Sequence, residues 1–256
     1  QHRIEKIAEE NSTARQKVME HLPFDVINLD FTGSIVGEPP LSRASYLQAV
    51  RWLIDQQCNK NRKAWLFFLT APLARGSRTN RDTSRQLWSR VQDNARERRF
   101  ADNLSDLLQI SKGDIVGEIG GLATLDEQRY GIGLGLALSK WILGLLTTRS
   151  DQWTLELLDA KSYRIHGSVP DMYSMSFKFT PHDINSIDAT GLTISASSST
   201  NPISELDVGL KLIQSISQTE DVDKLLDRDR KLLEEAISFS AELLATVRYN
   251  SDDYRE

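Results

Sequence analysis

Residues Phe24–Gly33, FDVINLDFTG, decide how the rest of this chain is read. From Leu22 to Leu29 the run is nearly continuously apolar, broken only by Asp25 and Asn28. Such a run suits a central parallel strand covered on both faces, and it delivers Asp30 to the turn that follows. Gly33, Gly37 and Pro39–Pro40 then interrupt the chain. Ser42 or Ser45 can cap the next helix, whose apolar stripe is Tyr46, Val50, Leu53 and Ile54 and which runs to about Cys58. After the polar turn Asn59–Arg62 comes a second buried strand, Lys63–Thr70 (KAWLFFLT), ending at Ala71–Pro72. Strand, crossover helix and strand make a right-handed parallel βαβ unit.

Outward from that unit, Ile4–Glu20 is polar and broadly helical, and Asn80–Leu108 reads as one long helix rich in arginine. Gly113–Thr124 is a glycine-containing connection into the main buried helix, Leu125–Thr148. Two extended stretches follow, Trp153–Ile165 and Met172–Thr180. In the second, Tyr173, Met175, Phe177 and Phe179 alternate with Ser174, Ser176, Lys178 and Thr180, the pattern of a hairpin strand with one solvated side. Asp188–Asn201 is rich in Ser and Thr, with a short edge strand expected at Leu192–Ala196. Ile203–Ser217 and Glu220–Arg248 read as helices, the last strongly amphipathic. The expected organisation is an α/β domain over residues 1–201 and a helical extension over 202–256.

The chain has 256 residues, 39% hydrophobic and 26% charged, the composition of an ordinary globular protein. Its net charge of −5 gives no overall attraction for nucleic acid, though a local basic surface is compatible with it. One cysteine, Cys58, excludes an internal disulfide and a cysteine-based zinc site, and fits a small core residue better than a reactive thiol. The segment after Gln1 lacks the layout of a secretion signal, so a cytoplasmic location is expected, and the sequence reads as part of something longer. Tyr130–Leu146 has the length of a membrane span. Lys140 near its middle and its recurring glycines favour a buried core helix, so no membrane is expected as a partner.

The order strand–helix–strand–helix followed by an antiparallel pair resembles the second half of a class I S-adenosylmethionine-dependent methyltransferase domain. The local likeness is FDVINLDFTGS, similar to the fourth-strand motif of that superfamily in the D-P-F-G-S form of tRNA guanine dimethyltransferases; Phe31 and Thr32 stand where that form has proline and the residue after it. KAWLFFLTAP resembles the strand that follows. The resemblance implies a Rossmann-like, mostly parallel sheet finished by an antiparallel hairpin strand, and S-adenosylmethionine as cofactor. It implies that Asp30, with Asn28 beside it, accepts a hydrogen bond from a substrate amino group and orients the nitrogen for attack on the sulfonium methyl. Thr32, and Thr70 on the neighbouring strand, would lie at the same strand ends, where ligands collect in open α/β sheets. The glycine-rich cofactor loop and the ribose-gripping acid of the family have no counterpart here and are expected upstream of Gln1. Read from the residues alone, Asp30 can equally cap its turn by bonding amides around Thr32–Gly33.

Other motifs carry weaker chemistry. Gly131-Ile132-Gly133-Leu134-Gly135 lacks the preceding strand that a phosphate loop needs, so tight helix packing is expected. Between Arg75 and Arg99, arginines accompany Trp88 and Phe100; Arg96, Arg98 and Arg99 could meet phosphates with an aromatic stacked on a base, or simply form a solvated surface paired to Asp82, Asp93 and Glu97. His2, His21, His166 and His182 have no metal-like spacing. The final helix can pack on its own domain, self-associate or hold another protein. Two functions follow: a methyltransferase acting on nucleic acid, or a catalytically inactive subunit binding nucleic acid or partners in a larger assembly, such as a bacterial defence complex.

Overall fold

Among the described residues five strands form one sheet, β1 (Val26–Asp30), β2 (Trp65–Pro72), β3 (Trp153–Tyr163), β4 (Met172–Pro181) and β5 (Glu220–Asp221), in the order β1-β2-β4-β3-β5. The computed structural model describes residues 4–37, 45–76, 80–116, 121–148, 153–182 and 204–246; Ser42, Pro39–Pro40 and the strand expected at Leu192–Ala196 lie outside them. β1 runs parallel to β2 and β3 parallel to β5, while β4 is antiparallel to both β2 and β3. Four strands therefore share one direction and β4 alone is reversed, inside a mixed α/β fold.

β1 corrects an expectation. It is not central: among the described residues it pairs only with β2, at the edge of the sheet. Asp25 O accepts from Leu66 N (3.0 Å) and Phe31 N donates to Thr70 O (2.8 Å). By the alternation of a parallel ladder, Val26, Asn28 and Asp30 then turn their backbone groups to the outer edge. Their side chains are exposed as well, Val26 by 51%, while Ile27 is buried.

The sheet is covered by helices on one face. Trp65, Phe67, Leu69, Met175, Phe177 and Phe179 point into one apolar core with α2 (Tyr46–Lys60), α6 (Glu127–Thr147) and α7 (Glu205–Ser217). Trp65 stacks on Phe179 at 4.0 Å between ring centroids. The other face is lined by residues that alternate with these: Leu66, Phe68 and Thr70 on β2, and Ser174, Ser176 and Lys178 on β4, all only half-buried. β2 is thus half-solvated rather than covered on both sides. A bulge at Leu158, between the pairs Leu157–Phe177 and Asp159–Ser176, leaves that leucine exposed on β3.

Ser45 starts α2 with a full capping box: its hydroxyl accepts from Gln48 N, and Gln48 Oε1 accepts from Ser45 N. The expected single helix Asn80–Leu108 is two, α3 (Arg81–Ala95) and α4 (Arg98–Leu108), turning at Arg96–Glu97. That turn lets both helices bury apolar stripes, Leu87, Trp88 and Val91 on α3, and Phe100, Leu104 and Leu108 on α4. α1 (Thr13–His21) precedes β1, and α5 (Lys112–Val116) leads towards α6. α6 is, among the described residues, the one helix long and apolar enough to span a membrane, and 72% of that window is buried in the fold.

Within the stretch expected as an extension, α7 and β5 join the rest of the fold. α7 buries Val208, Leu212, Ile213 and Ile216 in the common core, and β5 lengthens the sheet beside β3. The expected last helix is also divided, into α8 (Val222–Arg228) and α9 (Arg230–Thr246). Asp229 breaks it by accepting from Leu232 N at 3.0 Å, a cap that the continuous apolar stripe conceals.

Candidate functional site

The carboxyl end of β1 and β2 gathers most of the residues singled out by sequence. Asp30 is in register with Thr70, Thr70 with Ser174, and Ser174 with Lys161, so the four form a row across the half-solvated face. Neighbours in that row are one strand spacing apart, about 4.8 Å. Thr70 Oγ1 donates to Ser174 Oγ at 3.0 Å. Lys161 Nζ is neutralised by Glu220 (2.7 Å) and Asp159 (3.3 Å). The hydrogen bond from Lys161 to Glu220 raises its pKa against the opposing effect of burial. Asn28 occupies the next row, beside Phe68 and Ser176, and is exposed.

Asp30 is exposed, and among the described residues its carboxylate accepts no hydrogen bond from the amides around Thr32 and Gly33; the capping geometry is not formed. Its charge is felt across the sheet. The Tyr163 hydroxyl is pushed up first by burial and then by the charges of Asp30 and Asp171. Asp171 is held by the β3–β4 turn, accepting from Ile165 N (2.7 Å) and His166 N (3.0 Å). Neither Tyr163 nor Ser174 was singled out by sequence as a site residue. Only the strand order brings them to Asp30, and no local pattern could have done so.

Phe31 is 3% exposed and meets Tyr46 edge-on at 5.0 Å. It pins the turn to α2 and leaves Thr32 exposed beside Asp30. The residue is therefore a packing anchor.

The arginine segment is not part of this cluster. α3 starts near the strand ends, where Asn80 N donates to Val36 O at 3.2 Å. Its 15 residues then carry the chain about 22 Å along the helix axis. Arg96, Arg98 and Arg99 are exposed together at the α3–α4 turn. Trp88 and Phe100 are 3% and 0% exposed, so neither is available to stack on a base. Arg85 pairs with Asp82 at 3.3 Å and Arg98 with Asp102 at 3.9 Å. Arg99 also lines a surface groove of about 1010 Å³ between α4 and α7, with Asp106, Leu107, Asp207, Leu210 and Lys211. Arg75 is structural: its guanidinium donates to the carbonyls of Leu122 (2.6 Å), Ala123 (3.1 Å) and Leu125 (2.6 Å) and lies 4.7 Å from the Tyr130 ring centroid.

The glycines that superficially suggest a cradle lie inside α6, where a Cβ at Gly131 would come within 2.6 Å of the Tyr173 ring and one at Gly133 within 2.9 Å of Leu122. These glycines give their space to side-chain packing, and no backbone surface is left for a cofactor there.

Fold and surface together define a mixed α/β protein whose sheet has one helix-covered face and one reversed strand. The chain belongs to the PP_RS20740-like family, whose profile matches residues 1–256. No curated protein matches it, and no solved structure does.

Proposed function

We propose that this chain is a partner-binding subunit built on a Rossmann-like, methyltransferase-like sheet. The observation that carries this reading is the outer edge of β1. Val26 is 51% exposed there, backbone groups of Val26, Asn28 and Asp30 face outward, and the strand has no lysine or proline to block pairing with another chain. The single reversed strand among co-directional neighbours supports the likeness to the methyltransferase superfamily.

The test has two arms. Tagged protein purified from its native host should bring down a defined partner, lost on Val26→Lys and kept on Leu158→Lys, an exposed apolar residue away from the edge. Calorimetry with S-adenosylmethionine should give no saturable heat. Saturable binding, with methyl transfer that falls on Asp30→Ala, would replace this reading by the enzyme.

The enzymatic reading is favoured by one observation, the exposed carboxylate of Asp30 at a strand end, with no hydrogen bond of its own among the described residues. Phosphate contact through Arg96, Arg98 and Arg99 is a separate proposal. It expects nucleic-acid binding whose steep salt dependence flattens when the three are replaced; an affinity insensitive to salt rejects it.

A further inference from the structure

α9 carries apolar residues on two sides. On one side Leu233 and Ile237 are half-buried and Ala241 is fully buried. Leu232, Ala236, Phe239 and Leu243 follow one another at spacings of four, three and four, the repeat of a coiled-coil seam. Along that seam Leu232 is half-buried and Ala236 exposed, while Phe239 and Leu243 are exposed by 62% and 54%. A helix needs one apolar side to pack on its own domain, and the second side is left facing outward.

The charges beside the seam say what would cover it. Glu235 and Glu242 stand seven residues apart on one flank, both exposed, Glu235 in a solvated pair with Lys231 one turn back (3.5 Å) that a partner's cation can exchange with, and the other flank carries Leu233 and Ser240. A second copy fits poorly. Antiparallel pairing would set Glu235 against Glu242 of the other chain, and parallel pairing would set Glu235 against Ser240, with no opposite charge in either case. We infer that the outer seam of α9 docks an amphipathic helix of another protein, one that presents an apolar stripe flanked by lysine or arginine opposite Glu235 and Glu242. This rests on the partner-binding reading and adds to it the chemistry of one partner.

The probe is a synthetic helical peptide with leucines along its seam and lysines on both flanks, compared by fluorescence anisotropy with the same peptide carrying glutamates. With the full chain, the lysine peptide should bind about tenfold more tightly, an advantage that shrinks with salt. Phe239→Ser should abolish binding. Glu235→Lys with Glu242→Lys, two exposed changes checked by circular dichroism, should reverse the preference. Equal binding of both peptides, or binding of neither, overturns the inference. So does sedimentation of the free chain as a dimer that Phe239→Ser dissociates, because the seam then belongs to a second copy. Saturable S-adenosylmethionine binding beside a normal peptide result would remove the broader reading and leave the seam standing.

Discussion

Gly131 and Tyr173 share one packing position: the phenol ring of β4 fills the space where a side chain on α6 would begin, with Cε2 and Cζ 2.6 Å from an ideal Cβ. Tyr173 is 3% exposed and its hydroxyl reaches Gln128 O at 3.4 Å, so the ring has no free volume to retreat into. The contact fixes how closely α6 lies on the sheet, and so the depth of the whole covered face.

Gly131→Ala should therefore destabilise the fold by about 1–3 kcal/mol, overpacking outweighing the helix propensity gained. Gly144 is the control on the same helix, because a Cβ there meets nothing within 4 Å. Gly144→Ala should stabilise by up to about 1 kcal/mol. Urea unfolding of the two variants measures the difference, and equal effects would refute the packing argument.

Lys140 has a fully buried side chain in α6. It is ion-paired with Glu205 of α7, whose side chain is 46% exposed, and lies 6.0 Å from the Phe100 ring centroid of α4. Glu205→Ala strands a buried ammonium and should cost about 3 kcal/mol, somewhat less if water reaches it through the half-open carboxylate position. Lys140→Met replaces the charge with volume and should change stability by no more than about 1 kcal/mol. A larger loss for Lys140→Met than for Glu205→Ala would reverse the assignment.

Arg75 ties the loop after β2 to the turn before α6 through three carbonyls. Its substitution by alanine should cost about 2–3 kcal/mol, and lysine should restore little, since a single ammonium cannot span three acceptors and stack on Tyr130. Hydrogen exchange should quicken at residues 121–130 in both variants. Undisturbed exchange there with weakened nucleic-acid binding would return Arg75 to the phosphate-contact reading.

Burial raises the hydroxyl pKa of Tyr173 and, with the charges of Asp30 and Asp171, that of Tyr163. Both hydroxyls are thus held neutral in the fold to a higher pH than in the unfolded chain. The stability this confers is complete below about pH 10, the ordinary tyrosine value, and is lost as pH rises from there through the folded values. Denaturation at successive alkaline pH values should show stability falling from about pH 10, and the fall should be shallower in Tyr173→Phe. An unchanged slope would contradict the assignment.

Much of the fold was legible because local chemistry dictates it. The alternation from Tyr173 to Thr180 fixed both the strand and its covered face. Ser45 with Gln48 fixed the start of α2, and the glycines of α6 announced close packing. The break at Asp229 was not legible, because the apolar stripe continues in phase across it; at Glu97 the stripe shifts by roughly a third of a turn, from Leu87, Trp88 and Val91 to Phe100, Leu104 and Leu108, and the run of arginines hid that shift. The candidate site was half legible: Asp30 stood at a strand end in the sequence, but its row-mates Thr70 and Ser174 are 104 residues apart and meet only through strand pairing.

The sequence by itself determined that FDVINLDFTG is a strand ending at Asp30, since a short apolar run bounded by Pro23 and Gly33 has few other ways to satisfy its backbone. Whether that strand was covered on both sides was decided by the tertiary structure alone. Helices cover one face of the sheet, which takes Ile27 into the core and leaves the side chains of Val26, Asn28 and Asp30 to solvent, while placement at the edge turns the backbone groups of those three outward. The residue pattern of a strand records which side chains are apolar; which neighbours arrive to bury them depends on the whole chain.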